Sequence, residues 1–483
     1  MGKLIVIGLD GLSAEWVNAW QEQLPNLKYM MDRGISGTLK SITQPVTPAA
    51  WTSIITGQDQ GHFGFTDFIY RKSRAYTDIG FVHSKKINTA TIFKLVSEHH
   101  KKAWSIGVPI SYPPVEIKDG GSLACFMAPN HTGKITSPPA FKDELTHFLA
   151  SPLVLDVTID EHDVDYMELK HKIHAMDQQR FDILAYVMEQ KEWDLIFGVC
   201  MGTDRIGHYY VEFQEESHER YDANNAYKTA IKDHYQYCDH RLGEVLKQLD
   251  DDCNLIVLSD HGMQQLDAKF NINDWLIERG YLVLQQPLQG TSGLFQAPID
   301  WGKSCAWASG YGGQIYFNTQ IRNEHGFIAE HELDGYIDKM AAELQTYFDE
   351  LSIELELYTA DELFSGEHKQ DCPHLCLKIN DYKILTSDRI GHTEFITSIK
   401  ELGRDGGAHS ADGFIAMVGP DIPAAGTFDD MNIYDVAPSI LDLLHVPKPL
   451  DWEGRILHAI GENVYTDAEE AELTNRLKAL YLD

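Results

Sequence analysis

The chain has 483 residues, and its 40 Lys+Arg against 73 Asp+Glu give a formal net charge of −33. That balance excludes an overall basic footprint for nucleic acid or anionic membranes, and 43% hydrophobic content with 11% aromatics excludes disorder. The length suggests about three domain-sized units, or one large α/β domain with insertions.

In chain order, residues 4–9 read as a buried strand and 14–33 as a helix stopped by Gly34. Residues 48–56 read as a short helix with Thr47 as its N-cap and Pro48 at the first helical position. Long helices are expected at 166–190 and 221–249, and strands at 194–200 and 254–258. The stretch 270–400 differs: it carries isolated strand-like pieces (314–317, 353–355) and reads as an inserted α+β cap. A strand at 413–418 follows, then a helix at 435–444 opened by Asp435, with Pro438 in its first turn.

Apolar runs alternating with helical patterns predict an α/β fold: a doubly wound, mostly parallel sheet flanked by helices. The expected division is a catalytic core from 1–269 and 401–483, with 270–400 as the smaller cap. Seven scattered cysteines do not form a disulfide framework. The 4–9 run is too short for a signal-peptide core, and no run of about eighteen apolar residues predicts a membrane span. The expectation is a reduced, cytoplasmic protein with no membrane association.

Acidic and imidazole residues recur at the strand ends, the edge where open α/β sheets bind ligands. Asp10 follows the first strand, Asp204 follows 194–200, Asp260 and His261 follow 254–258, and His409 precedes 413–418. Asp204 and His208 are four apart, so one helical turn would point both at the same ion. Three Asp and three His, without thiolate, suit two divalent cations, zinc first and manganese second. Thr47, at a helix N-terminus that favours anions, becomes a nucleophile if a cation binds its hydroxyl.

The segments Ile5-Val6-Ile7-Gly8-Leu9-Asp10-Gly11, Pro45-Val46-Thr47-Pro48-Ala49-Ala50-Trp51, Asp204 to His208, Ser259-Asp260-His261-Gly262 and Ala408-His409-Ser410 resemble, in order, motifs of the alkaline phosphatase superfamily. The type I phosphodiesterase/nucleotide pyrophosphatase branch is the most similar. The run Asp435-Val436-Ala437-Pro438-Ser439 resembles its closing helix. The resemblance implies one metal on Asp204, His208 and His409, and another on Asp10, Asp260 and His261. It implies Thr47 as a metal-bridged nucleophile that forms a phospho-threonine intermediate.

The chain also departs from that pattern. Phe68 stands where these enzymes place a phosphoryl-contacting Asn, and His62 sits one place early, before Phe63-Gly64. Lys85, Asn130 and His131 are the other candidates for a substrate contact, the last two in a turn-rich stretch. The substrate class stays open at this stage: a small phosphodiester or pyrophosphate first, with a monoester or phosphonate as alternatives. A catalytically idle metal-binding protein is the rival from another class, and the retained nucleophile argues against it. Two cations would leave a net charge of about −29, a field that favours a small phosphorylated substrate over polymeric nucleic acid.

Other features have plainer readings. Cys372 and Cys376 lack a second ligand pair nearby and read as strand and turn residues. Trp51, Phe63, Phe65, Phe68 and Tyr70 read first as core and second as a stacking wall. The acidic run 467–472 reads as a solvated helix start.

Overall fold

The computed structural model describes residues 2–459 except 160–163, 425 and 453, so the acidic run 467–472 lies outside the described residues. The first strand, β1 (Lys3–Leu9), shows why an apolar run becomes the centre of a sheet. Leu4 and Val6 bury into one core, and Ile5, Ile7 and Leu9 into another on the opposite face. A strand covered on both faces needs apolar residues at every position, not at alternate ones.

The other strands of this sheet are β2 (Ile35–Lys40), β3 (Ala103–Ile106), β4 (Gly121–Leu123), β5 (Thr136–Ser137), β6 (Leu195–Cys200), β7 (Cys253–Leu258), β8 (Asp412–Val418) and β9 (Gly426–Asn432). Their order is β9-β2-β8-β7-β1-β6-β3-β4-β5. The centre is parallel, with Ile7 opposite both Gly198 and Val257. Strand β8 runs antiparallel to β7 and β2. The start of β8 therefore lies at the same edge as the ends of β1 and β7.

Helices cover both faces. One core gathers α1 (Pro25–Arg33), α3 (Tyr166–Gln190), α4 (Gly202–Gln214) and α5 (Ala230–Leu246). The other gathers α2 (Thr47–Thr56) and α6 (Val436–Leu443).

Two helix expectations need correction. The single helix at 14–33 is two helices, because Leu24 leaves helical geometry ahead of Pro25, which starts the second. The helix expected at 221–249 begins only at Ala230: Asn224 and Asn225 lie in turns, where the Asp222 carboxylate caps the Asn224 N–H and Asn225 Oδ1 the Tyr227 N–H.

Within 268–398 the chain forms a second, seven-stranded sheet whose central members include Gln314–Phe317 and Leu375–Ile379. The strand piece expected at 353–355 starts at Leu355 and runs to Thr359. A helix at Glu330–Leu351 buries Ile337, Met340, Leu344 and Phe348 in the core of this sheet. No helix among the described residues is long and apolar enough to cross a membrane.

Candidate active site

The chain leaves β1 at Asp10, β6 shortly before Asp204 and β7 at Asp260 and His261, and enters β8 just after His409. His409 lies on a short strand, Gly407–Ser410, that pairs antiparallel with Gly262–Gln265 and places Met263 opposite His409. These four chain segments meet at one sheet edge and form two adjacent clusters, Asp204/His208/His409 and Asp10/Asp260/His261. Five of the six residues are buried and His208 is half-buried.

In the first cluster, Asp204 Oδ1 is 3.3 Å from His208 Nε2 and 3.4 Å from His409 Nε2, and the two imidazole nitrogens are 3.1 Å apart. Asp204 and His208 share α4, which supplies the i, i+4 spacing. In the second, His261 Nε2 is 3.3 Å from Asp260 Oδ2 and 3.6 Å from Asp10 Oδ1. The His261 and His409 rings stack with centroids 3.7 Å apart, so the clusters share a wall.

Each imidazole is fixed through its other nitrogen. His208 Nδ1 meets Asp405 Oδ1 at 2.8 Å, His409 Nδ1 meets the Pro45 carbonyl at 2.5 Å, and His261 Nδ1 meets the Gly262 carbonyl at 3.0 Å. That pattern presents Nε2 as the free donor atom.

The carboxylates are likewise half satisfied. Trp51 Nε1 donates to Asp10 Oδ2 at 2.7 Å, Arg205 to Asp204 Oδ2 at 2.6 Å, and the Gly11 N–H to Asp260 Oδ1 at 3.4 Å. Asp10 Oδ1, Asp204 Oδ1 and Asp260 Oδ2 are buried without a hydrogen-bond partner. Orphaned carboxylate oxygens are costly unless a cation takes them.

Burial would lower His208, but Asp405 and Asp204 outweigh it and hold His208 well above its usual range, so His208 gives up a proton when it ligates a metal. Burial and the Asp204 charge push the Asp10 carboxyl well above its usual range, and burial and the Asp10 charge do the same to Asp260. Burial would also raise Asp204, but His208, His409 and Arg205 together outweigh it and hold Asp204 low. Burial and His409 keep His261 neutral, the form that ligates metal. The residues present fit two divalent cations.

Thr47 is the first residue of α2, and Val46 takes the cap position expected for Thr47. Freed from capping, the Thr47 hydroxyl lies 3.3 Å from His261 Nε2. Trp51, one turn later, reaches Asp10 across β1 because residue 8 is glycine. A Cβ on Gly8 would fall 2.3 Å from the indole.

The segment from residue 4 to 412, which holds this whole constellation, matches the family model described as type I phosphodiesterase/nucleotide pyrophosphatase. The chain belongs to that family. The type I phosphodiesterases are metal-dependent hydrolases of phosphodiester bonds, and this chain is an enzyme of that kind.

Solved structures share the fold. Human ectonucleotide pyrophosphatase/phosphodiesterase 5 matches with a TM-score of 0.54 at 13% identity, over 95% of this chain and 98% of that one. The murine protein matches with a TM-score of 0.51 at 15% identity, over 92% and 96% of the two chains. An inactive threonine-to-alanine variant of the murine protein, in complex with AMP, matches with a TM-score of 0.52 at 15% identity, over 93% and 96%. No curated protein sequence matches the chain.

Of the substrate-contact candidates in this phosphodiesterase, Phe68 is linked to the first cluster through one intervening ring. Its ring packs edge-on against Phe126, which in turn lies under the Arg205 guanidinium that binds Asp204. Asn130 is exposed and uses its side-chain carbonyl within its own turn, on Thr132 and Gly133. Lys85 and His131 are exposed. No hydrogen bond, ion pair or ring contact joins Lys85, Asn130 or His131 to Thr47 or the six-residue set among the described residues.

Four contributors have roles not read from the sequence. Trp51 reads from the sequence as a motif residue and as core or stacking wall, with no ligand-orienting role, although its i+4 spacing from Thr47 signals a shared face. Arg205 is adjacent to Asp204 and also pairs with Asp156. Asp405 and Tyr311 carry no local signal. Tyr311 comes from the second sheet's region: its hydroxyl accepts the His409 N–H, and its own N–H is held by Asp67. Asp67 also lines a cavity of about 360 Å³, with Arg71, Lys86, Trp307, Tyr316 and Arg322.

Around Cys372 and Cys376 there is no ligand cluster among the described residues. His374 Nδ1 instead accepts the Phe317 N–H, and Cys376 lies in a strand.

Proposed function

We propose that this phosphodiesterase cleaves a phosphodiester or pyrophosphate bond in a small, nucleotide-like substrate, with Thr47 as nucleophile. Asp204, His208 and His409 would hold one divalent cation and Asp10, Asp260 and His261 the other, zinc first and manganese second. One observation carries the reading: Thr47 Oγ1 lies 3.3 Å from His261 Nε2, beside three buried carboxylate oxygens that have no hydrogen-bond partner.

When bound, the two cations would withdraw charge from the phosphoryl oxygens and favour the deprotonated hydroxyl. The chain's own residues do the rest. Thr47 sits at the N-terminal end of α2, where the helix dipole favours an anionic phosphoryl group. Its oxygen bonds to phosphorus as the bond to the leaving oxygen breaks. Water then cleaves the threonine–phosphorus ester and restores the hydroxyl.

Pro48 fixes the backbone after Thr47, and Trp51 ties the same helix to Asp10. The segment 270–400, in the role of a cap, supplies Tyr311 behind His409. The AMP complex of the murine neighbour supports a nucleotide-sized ligand, and the inactivity of its threonine variant supports the nucleophile. A cytoplasmic location remains part of this reading.

The test is a substrate panel run on wild type and Thr47→Ala: a diester, a monoester, a phosphonate and a dinucleotide polyphosphate. The expected result is preference for the diester or polyphosphate, with at least about a 10³-fold loss in the variant and unchanged metal content. Full diesterase activity in Thr47→Ala would sink the nucleophile. A monoester preference would move the assignment to a phosphomonoesterase.

A further inference from the structure

Helices α3 and α5 lie side by side beneath the start of α4, and their facing sides carry His174 and Asp177 on one and His234 and Cys238 on the other. The spacings are i, i+3 and i, i+4, so each pair shares a face. Asp177 and His234 are fully buried and Cys238 is 1% exposed.

We propose that Asp177, His234 and Cys238 form a third metal site, structural and of zinc type, separate from the catalytic clusters. It does not depend on the function proposed above. One donor atom from each residue lies within 4.8 Å of the others. His234 Nε2 is 3.0 Å from Asp177 Oδ2, and Cys238 Sγ is 4.0 Å from that same oxygen. Bonds of about 2.0 Å to nitrogen and oxygen and about 2.3 Å to sulfur set the donors of a tetrahedral zinc roughly 3.3–3.5 Å apart, so the pair at 3.0 Å would open and the pair at 4.0 Å close by about half an ångström.

The remaining donor groups already have partners. Asp177 Oδ1 accepts the Gly202 N–H at 3.1 Å. His234 Nδ1 faces His174 Nδ1 at 3.0 Å, which gives a proton on His234 Nδ1 an acceptor. A ligating imidazole held through its other nitrogen by a fixed partner is how protein zinc sites orient their histidines.

Residue 202 must be glycine for this approach. A Cβ there would fall 2.2 Å from Asp177 Oδ2 and 2.5 Å from His234 Nε2, in the space between the two donors.

The charges balance as well. A carboxylate and a thiolate neutralise one dication, so the filled site would carry no net charge. Binding would release the Cys238 thiol proton to solvent; with Nε2 on the ion, His234 carries its proton on Nδ1 towards His174 Nδ1, and His174 carries its own on Nε2. Sulfur and nitrogen donors beside one carboxylate oxygen select zinc over magnesium or calcium. The ion would join α3 and α5 to Gly202, two residues before Asp204.

The test uses the full chain expressed in cobalt-supplemented minimal medium, as wild type, Cys238→Ser and His234→Asn. The catalytic clusters hold no sulfur, so a thiolate-to-cobalt charge-transfer band in the near ultraviolet reports this site. The expected result is a band in the wild type that both variants lose, with one cobalt fewer per chain and native far-ultraviolet circular dichroism. If the variants fail to fold, zinc X-ray absorption of the wild type is expected to show a sulfur scatterer at about 2.3 Å. A folded wild type with no sulfur-bound metal overturns the site and leaves a hydrogen-bonded His174–His234–Asp177 chain. A band that persists in folded Cys238→Ser also overturns it.

Discussion

Trp51 donates its indole N–H to Asp10 Oδ2 at 2.7 Å, from a position one helical turn beyond Thr47. One helix therefore carries the candidate nucleophile and fixes the orientation of a candidate ligand in the neighbouring cluster. Trp51→Phe keeps the ring and removes the donor, leaving a second buried Asp10 oxygen unpartnered at about 1–3 kcal/mol. Metal affinity is expected to fall about 10- to 100-fold. Activity measured against free zinc or manganese checks this, and an unchanged metal midpoint would reduce the contact to packing.

Asp405 acts on His208 as Trp51 acts on Asp10, through a 2.8 Å contact to Nδ1. Asp405→Asn keeps the shape and one acceptor oxygen but removes the charge. We expect roughly tenfold weaker metal binding with near-normal turnover at saturating metal. A fall in turnover that added metal does not restore would contradict this.

Stripping the metals should destabilise the fold, because three buried carboxylate oxygens then stay unpartnered. Restoring zinc at about a thousand times its dissociation constant adds about 4 kcal/mol per site. Thermal unfolding with and without chelator measures the difference. Identical curves would show that neither cluster binds a cation.

Asp67 offers a test by pH away from the clusters. It is buried, accepts the Tyr311 and Phe68 N–H groups, and is raised to about 6, mainly by burial. A carboxyl raised in the folded state binds more protons there than when unfolded, between about pH 4 and 6. The folded form is thus favoured at low pH and loses up to about 3 kcal/mol as pH rises through 6. Asp67→Asn does not titrate. Wild type should therefore lose melting temperature relative to the variant between pH 4 and 7, and a constant difference would refute the shift.

Much of the candidate site is legible in the sequence because its parts are local. Asp10, Asp260 and His261 stand directly after apolar runs, and a run buried on both faces announces itself without regard to its partners. Asp204 and His208 could be paired because helical spacing alone puts them on one face. The limits of α3 at Tyr166–Gln190 were readable for the same reason. Where a local competitor acted, the reading failed. Pro25 divided one helix, and side-chain hydrogen bonds at Asp222 and Asn225 held back the start of α5.

The sequence by itself determined the fold class and the residue types able to hold cations, since both follow from short-range apolar pattern and donor chemistry. Tertiary structure decided everything that needs two distant segments at once. His409 joins Asp204 only because β8 runs antiparallel, which returns the chain to the edge where β1 and β7 end. Asp405, Tyr311 and the facing His174/Asp177 and His234/Cys238 pairs gain roles from neighbours scores to hundreds of residues away. No periodicity encodes such meetings: they are set by how sheets and helices pack to bury apolar surface, and polar side chains are then held wherever that packing leaves them a partner.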